Sequence, residues 1–270
     1  MLHEDEGAAR LCALCRNGHM NASAPKEGKI ELTADCDGLF RVDVERLYAV
    51  NSQEELMIAT RHSNSPVKRG MKLAGMRVIP LVIDERKLAA AEAAGEGGPI
   101  LSLHPYVLKT CGLIVTGSEV QKGLIEDQFS PVVKDKLAQY GISVTMECAP
   151  GDDREAITEA ILDYKRAGAD MVLCTGGMSV DPDDRTPGAI RDTGADIVTY
   201  GAPVLPGAMF LLGYLGGTPV CGLPGCVMYA KATVFDLVLP RLAAGLPVTR
   251  AELVGLGHGG LCLGCGECHY

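Results

Sequence analysis

Between Lys109 and Gly245 the chain repeats one unit: an apolar run, a glycine-bearing loop, then a helical segment. That repeat restricts the fold more than any other feature. Leu113-Ile114-Val115 leads into Thr116-Gly117-Ser118-Glu119, and a helix starting near Asp127 follows, with Val132, Val133 and Leu137 on one face and a stop at Gly141. Ile142–Met146 reads as the next strand. Gly151-Asp152-Asp153 then caps a helix through Ile157, Ile161 and Tyr164, ended by Gly168. Met171–Cys174 runs into Thr175-Gly176-Gly177, and a short helix over Thr186–Asp192 has Pro187 in its first turn. Val220–Leu223 precedes Pro224-Gly225, and an apolar helix is expected from Val227 to Leu239, with Pro240 as its end. Strands alternating with helices imply an α/β fold, an open, mostly parallel sheet with helices on both faces. The near-continuous apolar strands fit burial on both sides. In such sheets ligands bind outside the carboxyl ends of the strands.

The remainder divides around that core. Residues 1–98 read as a small β-rich N-terminal subdomain ending in a linker, 99–250 as the α/β domain and 251–270 as a Gly- and Cys-rich tail. Strand-like runs fall at Lys29–Thr33, Leu39–Val42, Leu56–Thr60 and Met76–Ile83. Val44, Leu47 and Tyr48 suggest one short helical face. Lys87–Gly98 reads as a short helix running into a flexible linker. Aromatics make up 4% and Trp is absent, so the core must be aliphatic. A net charge of −9 argues against a nucleic-acid or anionic-membrane surface, while leaving a small anionic ligand open. No apolar run approaches the ~18 residues of a membrane span, and the acidic start is unlike a signal peptide, so the cytoplasm is the expected compartment. With no export signal, the 11 cysteines read as thiols or metal ligands.

The polar punctuation falls where this fold places a site. Thr116-Gly117-Ser118-Glu119 follows the first strand of the domain, Thr175-Gly176-Gly177-Met178-Ser179-Val180 with Asp184 follows the third, and Gly222-Leu223-Pro224-Gly225 precedes the last helix. Glycines let backbone N–H groups close on a phosphate. Carboxylates beside such a cradle suit a divalent cation. Glu119 and Asp184 therefore suggest a metal-assisted phosphate site; the alternative is that these loops are plain connectors. In the tail, Cys262, Cys265 and Cys268 with His269 have the spacing of a zinc or iron–sulfur ligand set, with Cys12-x-x-Cys15 as a partner pair. The other reading is a glycine-rich end with idle thiols. His3-Glu4-Asp5-Glu6 is expected to be a solvated terminus.

These stretches, with Pro150-Gly151-Asp152-Asp153, resemble the molybdopterin-binding domain shared by the molybdopterin molybdenumtransferase, molybdopterin adenylyltransferase and competence-damage families. The resemblance implies binding of molybdopterin or its adenylylated form, a pterin small molecule. It implies catalytic roles for Glu119, Asp152 and Asp184, with Glu119 and Asp184 holding Mg2+ or molybdate. It implies ligand contacts from Thr116, Gly117, Ser118, Gly176, Gly177, Met178, Ser179, Pro224 and Gly225. It also implies a homo-oligomer and a molybdoenzyme client. A molybdenumtransferase-like metal insertion is the favoured reaction. Adenylyl transfer from MgATP, suggested by Asp184-Arg185-Thr186-Pro187, and a non-catalytic carrier or sensor are the alternatives. The chain departs from the family at Leu205-Pro206-Gly207-Ala208-Met209, where the family has a lysine after the glycine, and at Leu223-Pro224-Gly225-Cys226-Val227, where it has Asn-Pro.

Overall fold

The computed structural model describes residues 1–124, 126–178 and 184–264. They form two compact units, Met1–Tyr106 and Val107–Tyr270.

The first unit is built of β1 (Leu2–His3), α1 (Glu4–Cys15), β2 (Met20–Ala22), β3 (Lys29–Ala34), β4 (Gly38–Val42), α2 (Val44–Asn51), β5 (Leu56–Thr60), β6 (Ser65–Val67), β7 (Lys72–Val78), β8 (Val82–Ile83), α3 (Glu85–Ala94) and β9 (Leu101–Pro105). Its strands form sheets ordered β2-β3-β7-β5, β6-β4-β9 and β1-β8. All pairings are antiparallel. The expected Met76–Ile83 strand is two pieces, because Pro80 has no N–H to give a ladder. The acidic start is not a free terminus. His3 caps α1, Glu4, Asp5 and Glu6 occupy its first turn, and Ala8, Leu11, Cys12 and Cys15 are buried in the core. In α2 the buried residues are Leu47 and Val50, whereas Val44 and Tyr48 face solvent, so the inward face lies a step away from the expected one.

The stretch expected as a flexible linker is pinned. The Arg46 guanidinium donates to the carbonyls of Gly98 (2.6 Å) and Pro99 (3.2 Å), and β9 pairs with β4 along five residues. Strand pairing thus carries residues 99–106 into the first unit and moves the boundary from 98 to Tyr106.

The second unit contains β10 (Thr110–Val115), α4 (Ser118–Gln121), α5 (Phe129–Ala138), β11 (Ser143–Cys148), α6 (Arg154–Arg166), β12 (Met171–Thr175), α7 (Thr186–Asp192), β13 (Asp196–Tyr200), β14 (Leu211–Leu215), β15 (Thr218–Leu223), a 3-10 turn (Gly225–Met228), α8 (Val234–Ala243) and α9 (Arg250–Gly255). One six-stranded sheet runs β11-β10-β12-β15-β14-β13. The pairs from β11 to β15 are parallel, while β14 and β13 add an antiparallel edge. Ile114, Val172, Cys174 and Val220 pack on one face with Ile157 and Ile161 of α6 and Ala189 and Ile190 of α7. Leu113, Val115, Leu173 and Cys221, one residue out of phase, belong to the opposite face and are equally buried. There α5 lies against β10 and β11. Lys136 of α5 is buried and donates to Asp236 of α8 at 2.5 Å and to the Lys231 carbonyl at 3.1 Å.

The last helix differs from expectation. Residues 225–228 form the 3-10 turn, the chain then breaks, and α8 starts afresh at Thr233, whose capping box with Asp236 supplies a new N-terminus. Pro240 sits inside α8 and does not end it. The expected tail, too, is partly structured: α9 opens it, with a Thr249–Glu252 capping box, and Leu261 bridges to Leu205.

Tyr164 of α6 covers β10 closely. A Cβ on Gly112 would lie 2.3 Å from the Tyr164 ring. Gly112→Ala should therefore destabilise the chain by about 1–3 kcal/mol in a denaturant titration. Gly112→Ala/Tyr164→Ala should lose less than the sum of the single losses.

Candidate functional site

At the carboxyl ends of β10 and β12 the backbone leaves the sheet through Thr116 and Gly176, and two threonine hydroxyls hold these exits together. Thr116 donates its N–H (2.8 Å) and its hydroxyl (2.9 Å) to the Thr175 carbonyl. Thr186, at the start of α7, donates to the Gly176 carbonyl at 2.9 Å and lies 3.3 Å from the Thr116 hydroxyl. All three threonines are buried. Glycine is required at both positions of the following turn. Gly176 has φ +83°, and a Cβ there would stand 2.7 Å from the Thr116 carbonyl oxygen; Gly177 has φ +54°, and its Cβ would meet the Thr186 hydroxyl at 2.8 Å. Met178 is buried against Gly222, where a Cβ would meet its thioether at 2.5 Å, so it is packing and not ligand surface.

A cavity of about 750 Å³ opens on this edge. Thr116, Gly117, Gly176 and Gly177 form its backbone wall, and Glu119, Glu126, Asp127 and Asp152 bring four carboxylates to it. None of the described residues that line it is Lys or Arg. Asp152 reaches across from the β11–α6 loop, where its carboxylate accepts the Ser118 N–H at 2.8 Å. The first turn of α4 is therefore partly occupied by a side chain from this protein. Asp127 accepts the N–H groups of Phe129 (2.8 Å) and Ser130 (3.1 Å) and the Ser130 hydroxyl, which fixes its carboxylate at the start of α5. Glu119 is exposed.

The structure separates some of the expected residues. Glu119 and Asp152 share the cavity, but Asp184 is not on its lining. Asp184 instead stands close enough to Tyr200 to raise that phenol, after burial, above its ordinary value, with Arg191 acting in the opposite sense. Asp184 Oδ2 and Thr175 Oγ1 are buried without a hydrogen-bond partner among the described residues. Pro224 and Gly225 lie outside the lining, whereas Met228 and Tyr229, four residues on, form part of it. Ser179, Cys265 and Cys268 lie outside the described residues, and Cys262 is exposed.

Cys12 and Cys15 are both buried in the first unit's core, and burial pushes the Cys15 thiol up to about 12. The buried thiols of Cys111, Cys174 and Cys221 are likewise pushed up by burial. Asp127 and Tyr229 escaped the reading of the sequence as site residues. The one signal for Asp127 was its place at a helix start, and Tyr229 had none.

In open α/β sheets the carboxyl edge of the parallel strands, where this cavity lies, is the place at which ligands bind. Residues 112–244, just under half of the chain, match the family model described as probable molybdopterin binding domain. The molybdopterin molybdenumtransferase of Haemophilus influenzae is 30% identical over 131 residues, 48% of this chain and 32% of that protein. A CinA-like protein of Mycobacterium sp. (strain JLS) is 37% identical over 76 residues, 28% of this chain and 18% of that protein. The chain thus spans less than a third of the length of these relatives. Among solved structures, CinA from Thermoplasma acidophilum aligns with a TM-score of 0.44 at 18% identity, over 50% of this chain and 98% of that one. No helix among the described residues is long and apolar enough to cross a membrane.

Gly176→Ala should cost about 1–3 kcal/mol of stability in urea unfolding, because the Cβ meets backbone in a left-handed conformation. Gly225→Ala, where a Cβ meets nothing within 4 Å, should stay within about 0.5 kcal/mol of the parent.

Proposed function

We propose that the second unit binds molybdopterin, or adenylyl-molybdopterin, together with a divalent cation, and serves metal insertion during molybdenum-cofactor assembly. The observation that carries this reading is the charge of the cavity. Four carboxylates and no lysine or arginine among its described lining residues would repel a phosphorylated pterin. A phosphate enters such a site when a cation bridges it to the carboxylates, which is the usual way Mg2+ is held between protein and phosphate. Glu119 and Asp152 fit that role by residue type and placement, and Asp127 is a third carboxylate on the same cavity. When bound, Mg2+ supplies charge neutralisation and a fixed orientation for phosphate oxygens.

The protein's own residues do the rest. Gly117, Gly176 and Gly177 allow close backbone approach. The buried threonines keep those turns rigid. Tyr229, 84% exposed at the cavity rim, offers a ring to the pterin face. Asp184, half-buried near Tyr200, is assigned a positioning role beside the start of α7 in place of a shared metal site with Glu119. A homo-oligomer, a molybdoenzyme client and molybdate as co-substrate belong to the same reading. A zinc or iron–sulfur role for the tail cysteines is a separate part of it.

The absence of a basic residue among the described lining residues favours a second reading, a pterin carrier that binds without turnover. Adenylyl transfer is separated from both by release of pyrophosphate when MgATP and molybdopterin are mixed with the protein.

Glu119→Gln should weaken Mg2+-dependent molybdopterin binding at least tenfold, measured by fluorescence of the bound pterin, and should leave the unfolding midpoint unchanged. Equal binding by the parent with and without Mg2+ would refute the cation bridge.

A further inference from the structure

A second cluster of ligating side chains lies in the first unit and is independent of the pterin reading. The β2–β3 ladder ends at the pair Met20–Ala34, and His19 and Asp35 face each other one step beyond it. The Asp35 N–H donates to the His19 carbonyl at 3.1 Å, and His19 holds φ +63°, a left-handed conformation uncommon for a residue with a Cβ. The imidazole Nδ1 stands 3.5 Å from Asp35 Oδ1. Cys36 follows directly, and the imidazole nitrogen, carboxylate oxygen and sulfur of the three residues all lie within 4.8 Å of one another. Donors around a tetrahedral zinc stand about 3.3–3.8 Å apart, from bond lengths of roughly 2.0–2.3 Å. Side-chain rotations of about an ångström would therefore close the three onto one ion.

The loop that carries them is already fixed. Asp37 accepts the Arg69 N–H at 2.8 Å and the Lys68 ammonium at 2.9 Å, and the Gly70 N–H donates to the Ala34 carbonyl at 2.8 Å. The Lys68 ammonium thus faces Asp37 and the Arg69 charge acts on Cys36, with Asp35 beside them. A hard oxygen-seeking cation gains little from such a balanced field, whereas a borderline metal draws on bonds to nitrogen and sulfur. The half-exposed position leaves a fourth coordination site open to water.

We propose that His19, Asp35 and Cys36 form a binding site for a divalent cation of the zinc class, with three protein ligands. A cysteine binds such a metal as the thiolate, so metal entry displaces the Cys36 proton.

The test is Co2+ titration of the full chain carrying Cys262→Ser, Cys265→Ser and Cys268→Ser, which removes the tail as a competitor. One equivalent should bind with a near-ultraviolet thiolate-to-cobalt absorption band, and Zn2+ should abolish that band. Cys36→Ser in the same background should remove the band. His19→Asn, which tolerates the left-handed backbone, and Asp35→Asn should each weaken binding tenfold or more with the far-ultraviolet dichroism unchanged. A band that survives Cys36→Ser, or failure of the folded tail-substituted chain to bind Co2+, overturns the assignment.

Discussion

Burial of β10, β12 and β15 on both faces is the constraint on which the second unit depends. Leu113, Ile114, Leu173, Cys174, Val220 and Cys221 are all shielded from water, so every backbone polar group between them must be spent in the parallel ladder. The chain can leave that ladder only at the strand ends, and there Thr116 and Thr186 take up the carbonyls of Thr175 and Gly176. The same hydrogen bonds set the spacing of the glycine turns. Site geometry is therefore a consequence of core packing, and a change at Gly176 or Gly177 would be felt as strain before it was felt as lost ligand contact.

Electrostatics then decides what such an edge can hold. Asp152 occupies the Ser118 N–H and Asp127 occupies the start of α5. Donors that could have met a phosphate directly are thus given to the protein's own carboxylates. Under the proposed reading the cavity takes a cation first and an anion through it. The cluster at His19, Asp35 and Cys36 follows a different logic, in which mixed nitrogen, oxygen and sulfur donors stand near the Lys68 and Arg69 charges. The two sites differ in donor chemistry.

Much of this was legible in the chain because it is local. Thr186–Asp192 is the helix its Thr-Pro start announces, and Asp153 caps α6 as its place before an apolar periodicity requires. Leu56–Thr60 alternates buried and exposed residues as a one-sided strand must. Where the reading failed, the missing information was not local. α1 is rich in small and charged residues, so its inward row of Ala8, Leu11, Cys12 and Cys15 gives a weak apolar signal until the sheet that covers it is known. β14 joins the sheet through antiparallel pairing with β15, and β13 through antiparallel pairing with β14.

The sequence by itself determined the alternation of strand, glycine turn and helix, the edge of the sheet on which a ligand would sit, and the presence of Glu119 on that edge. Those follow from residue periodicity and from the conformations open to glycine, which need no partner. Only the tertiary structure decided that Asp184 parts from Glu119, that Asp127 and Tyr229 join the cavity, and that residues 99–106 belong to the first unit. Each of these depends on which distant segments pack or pair together, and that choice is made by the summed burial and hydrogen bonding of the folded chain.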